Sequence, residues 1–365
     1  MILCTLVRRR RLYRARTASF VLLLLVFVAA PAAENFDPIS RPFEFTPGPD
    51  HANSIGEQSV RGAVEILPHY RDRPHQLSGL AWDADENTLY ALSDDSYLMH
   101  LRPVFERGRL AAVQMLALVE LRNRKGEPLA GNLADSEGLA IRHSENGIAG
   151  DTVLFISFEI AARVDRYDPA GNFKGGTLFK PTPLSEYPYS HPNRMLEAVA
   201  WHPEFGLVTM PEKPLTDATS SSIPVIGANA HFWQYPLADI KFGAVVGATF
   251  SQRNTLIVLE RHFGSLTDPL LIRIVETAIP QSPIARLEPR VLLSFSSTAG
   301  WPVDNFEGIT RHQGDCYFMV SDDNHKAWQK TLLVYLDLAR VTARAGAASA
   351  QPDCTGGSDS RADAE

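Results

Sequence analysis

Cysteine is scarce in this sequence, with three residues in 365. Cys4 lies in a basic and apolar N-terminal stretch, which leaves Cys316 and Cys354 in the rest of the chain. Two cysteines 38 positions apart match no zinc-site spacing and no thiol active site. In an oxidising compartment they allow one disulfide, and the sequence leaves its formation open, because Cys354 lies in a tail of Ala, Gly, Ser and Asp.

Long apolar runs are also absent, apart from one near the N-terminus. An arginine-rich stretch precedes the apolar residues 20–30, and Ala30-Pro31-Ala32 resembles a signal-peptidase site. A bilayer span needs about 20 apolar residues, so this run is too short for a membrane anchor. We therefore predict a signal peptide over residues 1–33, export to the periplasm or the exterior of a bacterial cell, and no stable membrane span after cleavage.

Positive charge is low once this signal is removed. The remaining chain has 29 basic and 42 acidic residues, a net charge of −13. This balance argues against a nucleic-acid partner and favours cations or neutral substrates. A phosphorylated substrate would need a bound metal ion to offset the repulsion.

Several catalytic motifs are missing. The sequence contains no G-x-S-x-G, H-E-x-x-H, G-x-x-x-x-G-K-[ST] or G-x-G-x-x-G, which argues against a serine hydrolase of the usual α/β kind. It also shows no long segment with helical periodicity after the signal peptide.

A repeat with a period of about 55 to 60 residues is present instead. Four segments align at their starts: SGLAWD from Ser78, EGLAIR from Glu137, EAVAWH from Glu197 and EGITRH from Glu307. Each leads through a turn to a second apolar run with a polar or acidic end: 89–95, 153–159, 207–212 and 317–323. A weaker fifth copy runs from Ala248 to Glu260. Short runs of this composition, bounded by Gly, Asp, Asn and Pro, are typical of strands joined in hairpins.

About four strands per repeat predicts an all-β fold, a β-propeller of five or six four-stranded blades around a central channel. The propeller domain is expected over residues 59–342, with 63–67 and 331–338 sharing the blade that closes the ring. Residues 34–58 are expected to be a flexible segment and 343–365 a disordered tail. An open sandwich or a solenoid is the competing architecture.

Carboxylates recur at the ends of these hairpins. Antiparallel strands place Glu307 beside Asp322 and Asp323, Glu197 beside Glu212, and Glu137 beside Glu159. Radial repetition then collects them at one mouth of the channel, where they need a compensating cation. We predict a metal site, Ca²⁺ before Mg²⁺, with these ligands: Glu137, Glu197, Glu307, Asp322 and Asp323. For Asp323, and for Asp95, the position at a strand end favours a turn-forming role over metal binding.

Histidine and arginine supply the other candidates. His202 and His312 each follow a Glu by five residues, at the far end of a strand, so turn or surface roles are expected. His325 lies on the acidic side and is the one candidate for acid–base catalysis. Arg163 and Arg261 are candidates for binding an anionic substrate group, with ion pairs to Glu159 and Glu260 as the alternative.

The combination of SGLAWD…LYALSDDS, DSEGLAI…LFISFE, EAVAWHP and DNFEGIT…FMVSDDN resembles the bacterial phytase-like family described as "esterase-like activity of phytase". The resemblance covers residues 60–340. It implies a β-propeller, an exported protein and hydrolysis of esters or phosphoesters, and the matching positions are Glu137, Glu197, Glu307, Asp322 and Asp323. The D-D-P-A-[IV]-W segment of β-propeller phytases is absent, so phytate hydrolysis is not implied.

The sequence therefore favours an exported hydrolase acting on a small ester or phosphoester. A metal at the channel mouth polarises the ester, and Glu307 or Glu197 orients the attacking water. The alternative is a non-catalytic propeller that binds a ligand or a protein and holds a structural metal ion.

Overall fold

The computed structural model describes residues 39–52, 54–67, 76–191, 194–216, 222–239, 241–265, 268–339, 341 and 354. The predicted signal peptide and most of the predicted C-terminal tail lie outside these residues. The described residues belong to one compact unit. Within the described part, no helix is long and apolar enough to cross a membrane.

Nearly all regular structure in the described residues is β-strand. The strands, in chain order, are β1 (Ser40–Pro42), β2 (Val60–Ile66), β3 (Leu77–Asp83), β4 (Thr88–Ser93), β5 (Tyr97–Glu106), β6 (Arg109–Glu120), β7 (Ser136–Arg142), β8 (Val153–Phe158), β9 (Arg163–Tyr167), β10 (Phe173–Gly176), β11 (Leu196–His202), β12 (Gly206–Pro211), β13 (Ser222–Gly227), β14 (Phe232–Pro236), β15 (Gly243–Phe250), β16 (Leu256–His262), β17 (Leu271–Thr277), β18 (Ile284–Arg286), β19 (Arg290–Ser296), β20 (Asn305–Arg311), β21 (Cys316–Asp322) and β22 (Leu332–Asp337). One short α-helix, α1 (Ile55–Ser59), and four 3₁₀ turns accompany them: Pro49–His51, Gly131–Leu133, Leu184–Glu186 and Ser297–Ala299.

The strands form five sheets, which are the blades of a propeller. Blade I has the order β3-β4-β5-β6 and blade II the order β7-β8-β9-β10. Blade III is β11-β12-β13-β14 with β18 at its edge, and blade IV is β15-β16-β17-β19. Blade V is β20-β21-β22-β2-β1. The first strand of each blade packs against the first strands of both neighbours, in the closed order β3, β7, β11, β15, β20. The predicted β-propeller is confirmed, and the blade count is five.

Blade V closes the ring by combining both ends of the domain. Its strand β22 pairs with β2, as predicted, and Arg61 forms an ion pair of 2.8 Å with Asp337 across this seam. Part of the segment 34–58, which is expected to be flexible, is strand β1, and α1 begins at its end. Strand β1 pairs with β2 through Ser40↔Ile66 and adds a fifth strand at the outer edge of the sheet. The pairing satisfies backbone groups of β2 that an uncovered edge strand would leave without partners.

The C-terminal end is joined to blade V by a disulfide between Cys316 and Cys354. Cys354 is 6% exposed and packs in the apolar layer between blades I and V. The bridge that the sequence left open is therefore present in the structure.

Each inner strand contains a β-bulge near its start. The extra residues are Ser78, Glu137 with Gly138, Glu197, Val246 and Glu307. A small residue lies at or directly after each bulge (Gly79, Gly138, Ala198, Gly247 and Gly308), and the neighbouring inner strand approaches the four glycines closely. A Cβ atom added to Gly138 would lie 2.6 Å from the carbonyl oxygen of Glu197. The small residues therefore allow the five inner strands to converge on a narrow channel.

Candidate functional site

The bulges place equivalent residues from all five blades around one end of the channel, which we call the axial mouth. The first set consists of Ser78, Glu137, Glu197, Val246 and Glu307. The second set lies on or just after the second strand of each blade. Each member directly follows the residue that pairs with the last inner-strand residue before the bulge: Asp94, Glu159, Glu212, Arg261 and Asp322. These ten positions hold seven carboxyl groups and a single guanidinium. Blade IV is the exception in both sets, with Val246 and Arg261.

Arg261 partly neutralises one half of the mouth, the half formed by blades III, IV and V. Its Nη1 donates to Glu307 Oε1 at 2.5 Å and also to Asn305 Oδ1. Its Nη2 lies 3.5 Å from Glu212 Oε1. Asn305 Nδ2 in turn donates to Glu307 Oε1 at 2.9 Å and to Asp322 Oδ2 at 3.1 Å. This half is therefore a connected network around Arg261, and Arg194 Nε lies 3.8 Å from Glu212 Oε2 at its edge.

The other half, formed by blades I and II, has no such cation. It contains Asp94, Asp135, Glu137 and Glu159. Among the described residues, none of these four carboxylates has a basic side chain within 4.0 Å. One oxygen each from Asp135, Glu137 and Glu159 lies within 4.8 Å of the others. Backbone N–H groups only partly compensate: Ile160 donates to Asp135 Oδ2 and Met195 to Glu159 Oε1, both at 3.3 Å.

The cation-free half is also buried. Glu137 is 8% exposed and Glu159 5%. Asp94 Oδ1 is buried, and no hydrogen-bond partner for it exists in the described part of the chain. An unpaired carboxylate in such a place is strongly destabilising unless it binds a proton or a metal ion.

The pKa values reflect this crowding. Burial raises the pKa of Glu137 well above the ordinary value, and the negative charges of Asp94 and Glu197 raise it further. The pKa of Glu197 is raised in the same way by burial and by Glu212. Burial and Asp135 raise the pKa of Glu159 to about 8, and burial and Glu307 raise that of Asp322 to about 7.

The donor set fits a hard divalent cation. Carboxylate oxygens are the ligands that Ca²⁺ prefers, and its loose geometry tolerates an irregular cluster. Asp135, Glu137 and Glu159 supply three of them, and the buried Asp94 lies close enough for its charge to raise the pKa of Glu137. Nitrogen and sulfur ligands are absent from this described cluster, which disfavours zinc.

The predicted metal ligands divide between the two halves. Glu137 belongs to the cation-free half, whereas Glu307 and Asp322 belong to the Arg261 network. Glu197 lies between them, since the charges of Glu159 and Glu212 both raise its pKa while Arg261 lowers it. Asp323 has the turn role that was the alternative: its Oδ1 accepts from the His325 N–H at 3.0 Å and its Oδ2 from the Thr331 hydroxyl at 3.1 Å.

His325 lies at the outer rim of the mouth. Its Nε2 is 3.7 Å from Asp95 Oδ2, and both side chains are more than half exposed. This position contributes a solvent-facing group rather than a buried acid or base.

The two arginines have different environments. Arg163 donates to Asp165 Oδ2 at 2.8 Å, to the carbonyls of Ala161 and Leu133, and stacks 3.6 Å from the Phe158 ring centroid. Its donors are thus used within blade II and the preceding loop, and Asp165 rather than Glu159 is its ion-pair partner. Arg261 does reach the mouth.

The alternative pairing of Arg261 with Glu260 is wrong, because neighbouring strand residues point to opposite faces. Glu260 lies between blades III and IV, where it accepts from the Tyr235 hydroxyl at 2.6 Å and contacts His262 Nε2 at 2.9 Å.

His202 and His312 lie at the opposite ends of their strands. Nδ1 of His202 accepts the N–H groups of Glu204 and Phe205, which closes the turn after β11. His312 bonds the Tyr335 hydroxyl at 2.8 Å, and burial lowers its pKa to about 4. Both histidines are buried, so the expected turn role holds for His202, and the surface role does not apply to either.

Sequence reasoning missed three contributors: Asp94, Asp135 and Asn305. All three lie beside the aligned motifs. Asp94 has a sequence signal, because alignment of LYALSDD with YFMVSDD places Asp94 at the position of Asp322. Asp135 and Asn305 lie two residues before Glu137 and Glu307, at the same place in their repeats.

Residues 74–325 match the phytase-like family described as "esterase-like activity of phytase". The chain belongs to this phytase-like family. The match covers blades I to IV and the first hairpin of blade V, so it contains every residue of the axial mouth and confirms the resemblance read from the repeats. A gluconolactonase from Xanthomonas campestris has a similar solved structure, with 13% identity, a TM-score of 0.41, and coverage of 83% of this chain and 99% of that chain. None of the curated proteins compared with this phytase-like protein matches it.

Proposed function

We propose that this phytase-like protein is an exported hydrolase that acts on a small ester or phosphoester at the axial mouth. The observation that carries the proposal is the division of the mouth into a cation-free carboxylate cluster and a network organised by Arg261. Such a juxtaposition offers a metal site, a group able to take up a proton, and a fixed positive charge at one end of the channel.

Asp135, Glu137 and Glu159 would hold the divalent cation, Ca²⁺ in this proposal, with Asp94 beside them. When bound, the cation supplies polarisation of the ester oxygen and lowers the pKa of water. The carboxylates orient the site, and their mutual repulsion favours the loaded state because each of them must otherwise be protonated.

Glu197 is the better placed of the two predicted catalytic carboxylates. Glu307 is held in place by Arg261 and Asn305, and both contacts oppose the rise in its pKa that burial causes. Glu197 borders both halves, and its raised pKa makes its deprotonated form a stronger base than an ordinary carboxylate. In this proposal Glu197 accepts the proton of the attacking water, and Arg261 stabilises negative charge that develops on the substrate.

Hydrolysis of p-nitrophenyl acetate and p-nitrophenyl phosphate by the purified protein tests the proposal, measured with Ca²⁺ and with EDTA. Turnover should require Ca²⁺ and should fall at least about 100-fold in Glu197→Gln and in Glu137→Gln, as expected for loss of acid–base or metal-ligand function. Glu186→Gln, an exposed carboxylate on a 3₁₀ turn, is the matched control and should retain full activity.

Two results would count against the hydrolase. Turnover that survives EDTA and both variants would remove the axial mouth from the reaction. A Ca²⁺-dependent rise in melting temperature without turnover on either ester would replace the hydrolase with the non-catalytic binding propeller.

A further inference from the structure

A cavity of about 410 Å³ lies at the end of the channel opposite the axial mouth. Its walls are formed where the five inner strands end, and they include Trp82, Trp201 and Phe250. Between this cavity and the axial mouth, the channel narrows to a space of about 10 Å³ beside Gly138 and Gly308. That is roughly the room for one water molecule. The two ends of the channel are therefore separate compartments.

Arg142 supplies an unneutralised positive charge to this cavity. In the described part of the chain it forms no ion pair, and its Nε is buried without a hydrogen-bond partner. The guanidinium carbon lies 5.0 Å from the ring centroid of Trp201, which stacks in turn on Phe155 at 5.5 Å. Packing against two aromatic rings holds the guanidinium in place, and a donor left unsatisfied there costs free energy that a bound anion would recover.

The one acidic residue on the cavity wall is already paired. Glu145, in the turn after β7, accepts from Arg311 Nη2 at 2.5 Å, which bridges blades II and V. The lining thus has two guanidinium groups and one carboxylate. Its charge is opposite to that of the axial mouth, although the chain as a whole is acidic.

We propose that this cavity binds a small organic anion, with a carboxylate paired to Arg142 and a flat apolar body against Trp82 and Trp201. The volume falls in the range of about 300–1,000 Å³ that is usual for small-ligand sites. Aromatic walls with few, well-placed polar groups are the usual composition of such sites. The ligand does not exchange with the axial mouth, because the narrow part of the channel excludes it.

Binding of benzoate to the full chain, followed by ligand-observed NMR, tests the proposal, with benzamide and inorganic phosphate as comparison probes. Benzoate should bind saturably and at least about tenfold more tightly than either, because benzamide lacks the charge and phosphate lacks the apolar body. Arg142→Met should weaken benzoate at least about tenfold, which corresponds to the loss of one charge-assisted hydrogen bond. Arg102→Met, at an exposed position on β5, should leave the affinity unchanged.

A gain of binding separates the proposal from misfolding. Glu145→Gln frees Arg311 and should tighten benzoate binding several-fold. Glu137→Gln, in the axial mouth, should leave it unchanged whether or not that mouth is catalytic. The proposal is overturned by any of three results: no saturable benzoate binding, equal affinity in Arg142→Met, or loss of binding in Glu137→Gln.

Discussion

Arg261 of blade IV and Glu307 of blade V form an ion pair at the channel axis, with Nη1 and Oε1 2.5 Å apart. Arg261 occupies the position that carries a carboxylate in the other four blades. One substitution in the repeat therefore converts a ring of like charges into two unequal halves. The half that contains Arg261 is partly neutralised by this guanidinium, whereas the half with Glu137 and Glu159 has no basic side chain within 4.0 Å among the described residues and requires protons or a metal ion.

Removal of Arg261 should be strongly destabilising. Its side chain is 18% exposed and serves Glu307, Glu212 and Asn305 together. Breaking one partner of a buried ion pair typically costs about 3–5 kcal/mol, because the remaining charge is left without compensation. We expect Arg261→Met to lower the free energy of unfolding by about this amount in urea titrations.

The double variant Arg261→Met with Glu307→Gln should recover part of the loss, since it removes the stranded charge as well. Arg102→Met, on the exposed side of blade I, should change the free energy of unfolding by less than about 0.5 kcal/mol. An equal loss in both arginine variants would show that the network at the mouth has no special role.

The sequence predicted the fold from its repeats because strand ends and turns recur at a fixed spacing, and each repeat has the same hairpin. It also predicted that Glu137, Glu197 and Glu307 belong to one position. It did not predict that Arg261 replaces a carboxylate of the repeat. The alignment of the fifth repeat begins at Ala248, after the bulge at Val246, so the positions of blade IV that face the mouth were not compared with those of the other blades.

The wrong pairing of Arg261 with Glu260 comes from the alternation of side chains along a strand. The two residues are adjacent, so one side chain points toward the channel mouth and the other into the space between two blades. Composition alone does not reveal that choice. Asp323 illustrates the same limit, because Asp322 enters the network with Asn305 while Asp323 bonds Thr331 and the following turn.

Stability without metal should fall as the pH rises through neutrality. The folded-state pKa values of Glu159, about 8, and Asp322, about 7, lie above their ordinary values of 4.5 and 3.8. The folded protein therefore binds protons that the unfolded chain has released, and this stabilisation is lost as the pH passes the folded-state values.

Melting temperatures in EDTA between pH 6.5 and 8.5 measure this effect. The lower limit avoids the opposite contribution of His312, whose lowered pKa makes stability rise with pH below its ordinary value of 6.5. The melting temperature should decrease across this window, and less steeply in Glu159→Gln. A constant or rising value would contradict the raised pKa values.

Ca²⁺ should stabilise the protein through the cation-free half of the mouth. At 100 times the dissociation constant, a ligand that binds only the folded state adds about 2.7 kcal/mol. The melting temperature should therefore rise by several degrees with Ca²⁺, and the rise should disappear in Glu137→Gln. Glu212→Gln, in the Arg261 half, should retain it. If Ca²⁺ stabilised Glu137→Gln but not Glu212→Gln, the metal would bind in the Arg261 half, which contradicts the prediction.

Convergence of the inner strands should depend on Gly138. A Cβ atom at this position would lie 2.6 Å from the Glu197 carbonyl oxygen and 2.9 Å from the Val199 nitrogen, which are backbone atoms of the neighbouring blade. Since the backbone cannot move away as a flexible side chain would, Gly138→Ala should lower the free energy of unfolding by about 1–3 kcal/mol, as overpacking does elsewhere. It should also weaken Ca²⁺ binding, because Glu137 and Glu197 sit at the two contacting bulges.

Gly176→Ala, where the nearest atom is a carboxylate oxygen of Asp165 at 3.2 Å, is the matched control. If both alanine variants unfold at the same urea concentration, the close approach of β7 and β11 does not set the geometry of the axial mouth.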